Sequence, residues 1–182
     1  MKTIINSILS KLGFRIVKID RNEISARDHI RNFVVDNKDL FRGEILDLGT
    51  GNWNILRELY QNQANITTFD REKTPFVDVV GDVTKLSQYF PKKYDVVCAF
   101  ELLEHVTDPQ QAIDETYKVL KSGGIFISAT PFFYQLHGED YGDYWRFTRQ
   151  GLKLLLKNFS RVDIYWTGLE LKPSHYIAVA RK

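Results

Sequence analysis

Apolar residues along this chain follow two alternating patterns, short continuous runs and stripes with helical spacing. From Gly43 onward, the short runs predict strands and the stripes between them predict helices. The predicted strands are Ile45–Leu48, Ile66–Phe69, Val77–Val80, Asp95–Ala99 and Ile125–Ala129, and the predicted helices are Asn54–Gln63, Lys85–Phe90 and Pro109–Lys121. Short apolar strands that alternate with helices are typical of a parallel sheet covered on both faces.

The helix predicted at Pro109–Lys121 has boundary signals at both ends. Asp108 is a good N-cap, and Pro109 suits the first turn of a helix. Gln111 could complete a capping box with Asp108. Gly123 follows the last turn and is expected to end the helix.

The pattern changes in the last third of the chain. An aromatic-rich loop from Pro131 to Phe147 precedes an amphipathic helix, whose apolar residues are Leu152, Leu155, Leu156 and Phe159. Two further strands, Val162–Thr167 and Tyr176–Ala180, leave no room for a helix between them and are expected to pair antiparallel. We therefore predict an α/β fold with a Rossmann-like, doubly wound sheet of about seven strands, mostly parallel, with an antiparallel C-terminal strand.

Residues 1–42 are predicted to form a helical segment packed on the core of a domain that spans residues 43–182. A second helix of this segment is expected to run from its N-cap, Ser25, toward Leu40. The first helix could pack on the domain or a partner, or lie on a membrane surface, which only Lys2 and Lys11 favour. Its apolar stripe, which ends before Gly13, consists of Ile4, Ile5, Ile8, Leu9 and Leu12.

Composition favours a globular domain. The 182 residues are 43% apolar and 26% charged, and the net charge of +2 is spread along the chain, without the basic stripe of a nucleic-acid interface. Cys98 is the only cysteine, which excludes an internal disulfide and a cysteine-rich zinc site, and its apolar neighbours predict a buried thiol. We predict no metal site. We see neither a membrane-spanning run nor a signal peptide, so a cytoplasmic location is expected.

The segment EILDLGTGNW joins the first predicted strand to a glycine-containing turn. Gly49 and Gly51 allow the backbone to turn tightly and approach a ligand closely, and the helix that follows offers free N–H groups. Asp70 ends the next strand about 20 residues later, where a carboxylate can accept both hydroxyls of a ribose. The pattern predicts an adenosine-containing cofactor. A dinucleotide site would carry a third glycine where this chain has Asn54, which counts against NAD.

Several motifs of the chain, in order and in spacing, resemble those of class I S-adenosylmethionine-dependent methyltransferases, and the type 11-like group in particular. The resemblance runs from about Arg42 to the C-terminus. It rests on Asp47–Gly51, Gly81–Val83, Tyr94–Phe100 with Glu101–Val106, and Leu120–Gly124 before Pro131. One position departs from the family, because Trp53 stands where a third glycine is frequent. Trp53 would narrow the pocket or shield the methionine end of the cofactor.

The resemblance implies S-adenosyl-L-methionine as the cofactor. Asp47 would lie near its methionine amino group, Asp70 would hold the ribose, and Phe100 would border the methionyl chain. Asp82 would face the adenine, although it could instead cap a turn before Thr84. The complete set of implied cofactor-binding residues is Asp47, Gly49, Thr50, Gly51, Asp70, Asp82, Val83 and Phe100.

The segment HGEDYGDYWRFT resembles a narrower group of bacterial methyltransferases that carry a DYWRFT-like motif. That group often accompanies the biosynthesis of surface polysaccharides or glycolipids. The resemblance thus implies in-line methyl transfer to a small-molecule, glycan or glycolipid acceptor. The candidate acceptor-binding residues are Tyr141, Tyr144, Trp145 and Arg146, with Tyr134 as a weaker candidate. The rings could also pack the loop onto the sheet.

The candidate catalytic residues are His105, His137 and Asp143. His105 follows the fourth strand, where open α/β sheets bind their ligands, and an imidazole can accept a proton near neutral pH. Either histidine could instead be structural. The alternative function is a noncatalytic, S-adenosylmethionine-binding partner subunit with the same fold. The N-terminal helices with the loop Pro131–Phe147, or a second copy of the chain in a homodimer, are expected to close the pocket.

Overall fold

A seven-stranded sheet organises the part of the chain described by the computed structural model, residues 25–62, 64–138 and 140–182. Its strands are β1 (Gly43–Leu48), β2 (Ala64–Asp70), β3 (Val79–Val80), β4 (Tyr94–Phe100), β5 (Leu120–Pro131), β6 (Arg161–Leu169) and β7 (Lys172–Arg181). The helices are α1 (Ala26–Asp36), α2 (Ile55–Tyr60), α3 (Leu86–Tyr89), α4 (Pro109–Val119) and α5 (Arg149–Leu155). Short 3₁₀ turns lie at Lys38–Leu40, Val83–Lys85 and Leu103–His105.

The strand order is β3-β2-β1-β4-β5-β7-β6. The pairs β1–β2, β2–β3, β1–β4 and β4–β5 are parallel, whereas β7 runs antiparallel to both β5 and β6. This topology confirms the predicted fold class. From β1, the strands β2 and β3 are added on one side of the sheet, and β4 and the later strands are added on the other side. The sheet therefore has a switch point between β1 and β4, where α/β sheets open a crevice for ligands.

Two apolar layers cover the two faces of the sheet. Ile45 and Leu46 point to opposite faces, because successive side chains of a strand alternate. Leu46 belongs to a buried cluster with residues of α3, α4 and α5, whereas Ile45 belongs to a second cluster with residues of α1 and α2. Cys98 is buried in the second layer, as predicted, and burial raises the pKa of its thiol well above the ordinary value.

The boundaries of α4 agree with the sequence at its N-terminus and differ at its C-terminus. The carboxylate of Asp108 accepts the N–H of Gln111 at 3.0 Å and so caps the helix as predicted. The predicted capping box is wrong, because the side-chain amide of Gln111 donates to the carbonyl of Thr84. The helix ends at Val119, two residues early, because Leu120 already pairs with β4.

Helix α1 packs on the sheet through Ile30 and Val34, which are fully buried. Its N-cap is Ser25, whose hydroxyl accepts the N–H of Asp28, and the Tyr60 hydroxyl donates to the carbonyl of Val34 at 2.7 Å. The helix predicted before Gly13 lies outside the described residues, and the division at residue 42 stays a prediction. None of the helices that the structure describes is long and apolar enough to cross a membrane.

Candidate active site

A cavity of about 850 Å³ opens at the carboxyl ends of the strands, beside the switch point of the sheet. Its volume lies in the range of sites that enclose a small molecule or cofactor. The lining includes residues 49–53, 69–72, 81–84, 100–102 and 105–107, together with Arg27, Tyr134, His137, Tyr141 and Tyr144. Most of the predicted cofactor-binding residues therefore meet at one cavity with both predicted histidines.

The turn after β1 depends on its glycines. Gly49 has φ +74° and Gly51 has φ +50°, the left-handed conformations that glycine adopts without strain. The N–H of Gly49 donates to the carbonyl of Phe69 at 2.8 Å. A Cβ atom at Gly49 would lie 3.0 Å from Cδ1 of Leu102, a contact so tight that Leu102 would have to move by a few tenths of an ångström. At Gly49 and Gly51 the cavity is therefore lined by backbone atoms.

Asp70 ends β2 and lines the same cavity. One carboxylate oxygen accepts the N–H of Gly51 at 2.8 Å, and the other accepts the N–H of Glu72 at 3.0 Å. Each carboxylate oxygen has a second lone pair for a further donor. Asp70 is thus held in one orientation, beside the glycine turn, with the capacity to accept two hydroxyl groups.

Asp47 lies behind this turn rather than among the lining residues. It is buried, and burial raises the pKa of its carboxyl to about 7, while the Thr50 hydroxyl and the charge of Arg57 act in the opposite direction. The Thr50 hydroxyl also donates to the Asp47 carbonyl at 3.0 Å. A carboxyl of this kind changes its charge near neutral pH.

Asp82 caps a turn and also lines the cavity, so its predicted contact with the adenine stays a prediction. Its carboxylate accepts the N–H and the hydroxyl of Thr84, at 2.9 Å and 2.7 Å. Val83 and Phe100, at the end of β4, also line the cavity. Trp53 lines it as well, with the guanidinium carbon of Arg27 5.5 Å from its ring centroid.

The opposite end of the cavity is a wall of aromatic and imidazole rings. The ring centroid of His105 lies 4.8 Å from that of Tyr141 and 4.9 Å from that of His137, both edge to face. Tyr134 stands edge to face with His137 at 5.6 Å. Burial lowers the pKa of His105, which favours the neutral ring at pH 7. Arg71 joins this wall to the loop after β2, by donating to the Tyr141 carbonyl at 3.3 Å.

Three predicted site residues have other contacts. Asp143 is nearly buried, and both of its oxygens bind the Arg146 guanidinium, which holds the pKa of that carboxyl well below its usual range. Asp143 also accepts the N–H of His137 at 3.0 Å. The Trp145 indole donates to the carbonyl of Val106 at 2.8 Å. Asp143, Trp145 and Arg146 are absent from the described lining of the cavity. Their contacts hold the loop together, and their assignment to catalysis and acceptor binding stays a prediction.

The sequence analysis missed two glutamates that follow β4. Glu101 lines the cavity at φ +52°, the one described non-glycine residue with positive φ, and its Oε2 lies 3.3 Å from Nε2 of the buried His175. Glu104 has no exposed surface, and burial raises the pKa of its carboxyl well above the ordinary value. Their position in the sequence could have identified them, since both carboxylates follow an apolar strand directly. Parallel strands of open α/β sheets bind ligands at their carboxyl ends.

Comparison with known protein families gives one match over most of the chain. A profile of the methyltransferase domain family matches residues 18–166. This range includes α1, the glycine turn, Asp70, both histidines of the ring wall and the loop that carries the tyrosines.

Individual relatives agree with this match. A ubiquinone biosynthesis O-methyltransferase from Vibrio atlanticus is 32% identical over 113 residues, which cover 53% of this chain and 48% of the relative. The chain thus aligns with about half the length of the curated relatives it matches.

Solved structures share the fold at low identity. A SAM-dependent methyltransferase from Archaeoglobus fulgidus superposes with a TM-score of 0.71 at 17% identity, covering 87% of this chain and 95% of the other. The 1,6-didemethyltoxoflavin-N1-methyltransferase of Burkholderia thailandensis, solved with bound 1,6-didemethyltoxoflavin and S-adenosylhomocysteine, gives a TM-score of 0.61 at 18% identity, covering 90% of this chain and 93% of the other.

Proposed function

Because the chain belongs to the methyltransferase domain family, we propose that it transfers the methyl group of S-adenosyl-L-methionine to a small-molecule acceptor. One observation carries the proposal: a single cavity joins the glycine turn and Asp70 to a wall of histidine and tyrosine rings. The first end suits an adenosine, through bare backbone and a carboxylate for the ribose. The second end suits an acceptor of partly apolar character.

The chemistry requires little from the protein beyond positioning. The methyl carbon is already activated by the positive sulfonium, and the acceptor must approach it in line, opposite the sulfur. Orientation of this kind supplies much of an enzyme's acceleration. A hydroxyl acceptor also gains from a nearby proton acceptor, for which His105 and His137 are the candidates that line the cavity.

The acceptor that we favour is a hydroxyl group on a small aromatic or otherwise apolar molecule. The relative from Vibrio atlanticus is named an O-methyltransferase of ubiquinone biosynthesis, which supports an oxygen atom of a small molecule as the acceptor. A glycan or glycolipid acceptor is less well supported. Of its four predicted binding residues, Trp145 and Arg146 are engaged within the loop, so only Tyr141 and Tyr144 face the cavity.

Calorimetry and methyl transfer test the proposal together. S-adenosylhomocysteine is expected to bind the full chain with one site, whereas NAD is expected not to bind. S-adenosylmethionine with a labelled methyl group should then label a hydroxylated aromatic from an acceptor panel. Cofactor binding without transfer to any aromatic, sugar or cell-extract acceptor would favour the noncatalytic partner subunit. Tight NAD binding without a response to S-adenosylhomocysteine would refute the proposal.

The affinity for S-adenosylhomocysteine is expected to rise with pH. We propose that the carboxylate of Asp47 attracts the ligand's ammonium group, and the pKa of this carboxyl is about 7 in the free chain. Protonated Asp47 has no charge with which to attract the ammonium group. At pH values below this pKa, ligand binding must therefore be accompanied by release of the proton. Between about pH 6 and about pH 8 the ionised fraction of such a group rises about tenfold, and the association constant should rise with it.

The matched variant is Asp47→Asn, which keeps the size of the side chain but does not titrate. Calorimetry across the same pH range should give it a weaker and nearly constant affinity. A flat profile in the parent chain would show that Asp47 does not interact with the ammonium group.

A further inference from the structure

Three side chains with metal-ligating atoms meet at the ring wall of the cavity. Glu104, His105 and His137 each offer one such atom, and these atoms all lie within 4.8 Å of one another. The Nε2 atom of His105 lies 3.7 Å from Oε1 of Glu104. Ligand atoms about 2.0–2.2 Å from a tetrahedral metal ion are separated by roughly 3.3–3.6 Å. Small side-chain rotations would therefore bring the three atoms onto one ion.

The hydrogen bonds of the two histidines leave the same nitrogen free on each ring. Nδ1 of His105 faces the carbonyl oxygen of Gly142, and a carbonyl only accepts, so Nδ1 carries the proton. Nδ1 of His137 lies 3.3 Å from the carbonyl oxygen of Gln135 and 3.4 Å from Oδ2 of Asp143, which are both acceptors. The tautomer that suits these contacts has its proton on Nδ1 and its lone pair on Nε2 of both rings. Metal-ligating histidines show this arrangement, with the second nitrogen donating to a carbonyl or carboxylate.

Glu104 gives an independent indication of a ligand. The residue has no exposed surface, and neither of its carboxylate oxygens has a hydrogen-bond partner among the described residues. Burying an unpaired carboxyl group is costly, and a cation is one way to satisfy it. With their protons on Nδ1, the rings of His105 and His137 offer Glu104 no donor at Nε2. Arg146 is already bound to both oxygens of Asp143.

We propose that Glu104, His105 and His137 bind one divalent transition-metal ion at the acceptor end of the cavity. Two imidazoles and one carboxylate suit Zn²⁺, Fe²⁺ or Co²⁺ better than Mg²⁺ or Ca²⁺, which prefer oxygen ligands. Asp143, assigned to catalysis from the sequence, becomes a positioning residue that orients His137. The site goes beyond the proposed methyl transfer, since it is formed by residues outside the glycine turn and binds its ion without the cofactor.

The site would have a direct consequence for an acceptor. Three protein ligands leave a metal ion with at least one open position, and His105 and His137 line the cavity into which it would open. A hydroxyl oxygen bound there loses its proton more readily, because the cation stabilises the resulting oxyanion. In this case the ion, rather than a histidine ring, would activate the hydroxyl group of the acceptor.

Titration with Co²⁺ tests the proposal through the visible absorption of the bound ion, independently of methyl transfer. The full chain, purified without a histidine tag and treated with a chelator, is expected to bind one Co²⁺. His137→Ala and Glu104→Gln should each weaken binding about a hundredfold or more. Asp143→Asn should weaken it by about tenfold to a hundredfold, the range measured for residues that orient metal ligands. The control His29→Gln, on α1, should bind Co²⁺ as the parent does.

Thermal melting and S-adenosylhomocysteine calorimetry accompany each variant, so that loss of fold is not mistaken for loss of a ligand. If Glu104→Gln does not fold, His137→Ala decides, because its side chain is partly exposed. The proposal is refuted if the parent shows no saturable Co²⁺ binding, or if the folded variants bind as the parent does. A chain that binds S-adenosylhomocysteine but not Co²⁺ refutes only the metal site, and the reverse result refutes only the proposed cofactor.

Discussion

Replacing Asp70 with alanine is expected to weaken the binding of S-adenosylhomocysteine by about tenfold to a hundredfold, with the fold intact. A hydrogen bond to a charged group contributes about 1.5–3 kcal/mol, and each 1.4 kcal/mol changes an affinity about tenfold. Asp70 also accepts the N–H of Gly51 at 2.8 Å, so its loss should loosen the turn that we propose to meet the cofactor. Calorimetry with the purified variant measures the change directly.

Two further variants separate the carboxylate from its surroundings. Glu72→Ala removes another carboxylate from the cavity lining, but that side chain is 74% exposed, and we expect little change in affinity. Asp70→Asn keeps an oxygen that can accept the N–H of Gly51 and loses the charge, so its affinity should lie between those of the parent and Asp70→Ala. An unchanged dissociation constant in Asp70→Ala would remove Asp70 from the ribose site.

The cofactor end of the cavity could be predicted from the sequence because its geometry is local. Gly49 and Gly51 lie in one turn, and Asp70 ends the strand that pairs with β1. Parallel strands bring their carboxyl ends to the same edge, so the topology alone puts these residues together. The same reasoning brings His105 to that edge, because it follows β4.

The acceptor end could not be predicted in the same way, because it depends on how the loop 131–147 folds back. The N–H groups of Tyr144 and Trp145 donate to the carbonyl of Glu104, at 2.8 Å and 3.3 Å. These bonds fix the loop against the end of β4, beside the carboxyl group of Glu104. No periodicity encodes such contacts between distant segments. Arg146 could have been recognised as a partner of Asp143 from the spacing of three residues, but the sequence does not distinguish this pair from two ligands of an acceptor.

The packing of the loop also explains why this end of the cavity has a defined shape without regular structure. Trp145 is anchored to the carbonyl of Val106, and Asp143 binds both Arg146 and the backbone of His137. These contacts hold the segment of the loop in which Tyr141 and Tyr144 lie. Residues that hold the loop and residues that line the cavity thus lie within a few positions of each other, which is why the sequence alone does not separate them.

Replacing Gly49 with alanine is expected to lower both the stability of the chain and its affinity for S-adenosylhomocysteine. The left-handed backbone at φ +74° is unfavourable for a residue with a Cβ atom, by about 1–2 kcal/mol. The new methyl group would also lie 3.0 Å from Cδ1 and 3.1 Å from Cβ of Leu102, so either Leu102 or the turn must shift by a few tenths of an ångström. Together we expect a loss of about 2–4 kcal/mol in the free energy of unfolding. Urea denaturation and calorimetry measure the two effects.

Gly123 provides the matched control, because it has nearly the same φ, +75°, and a Cβ atom there would meet no described atom within 4 Å. Gly123→Ala should therefore show the backbone cost alone, about 1–2 kcal/mol, with an unchanged affinity for S-adenosylhomocysteine. Adding Leu102→Ala to Gly49→Ala removes the contacts with Cγ and Cδ1 of Leu102, but it leaves the contact with Cβ at 3.1 Å and the backbone cost. Only part of the cofactor affinity should therefore return. If Gly49→Ala is no more damaging than Gly123→Ala in either measurement, the close approach of bare backbone at position 49 has no role in binding.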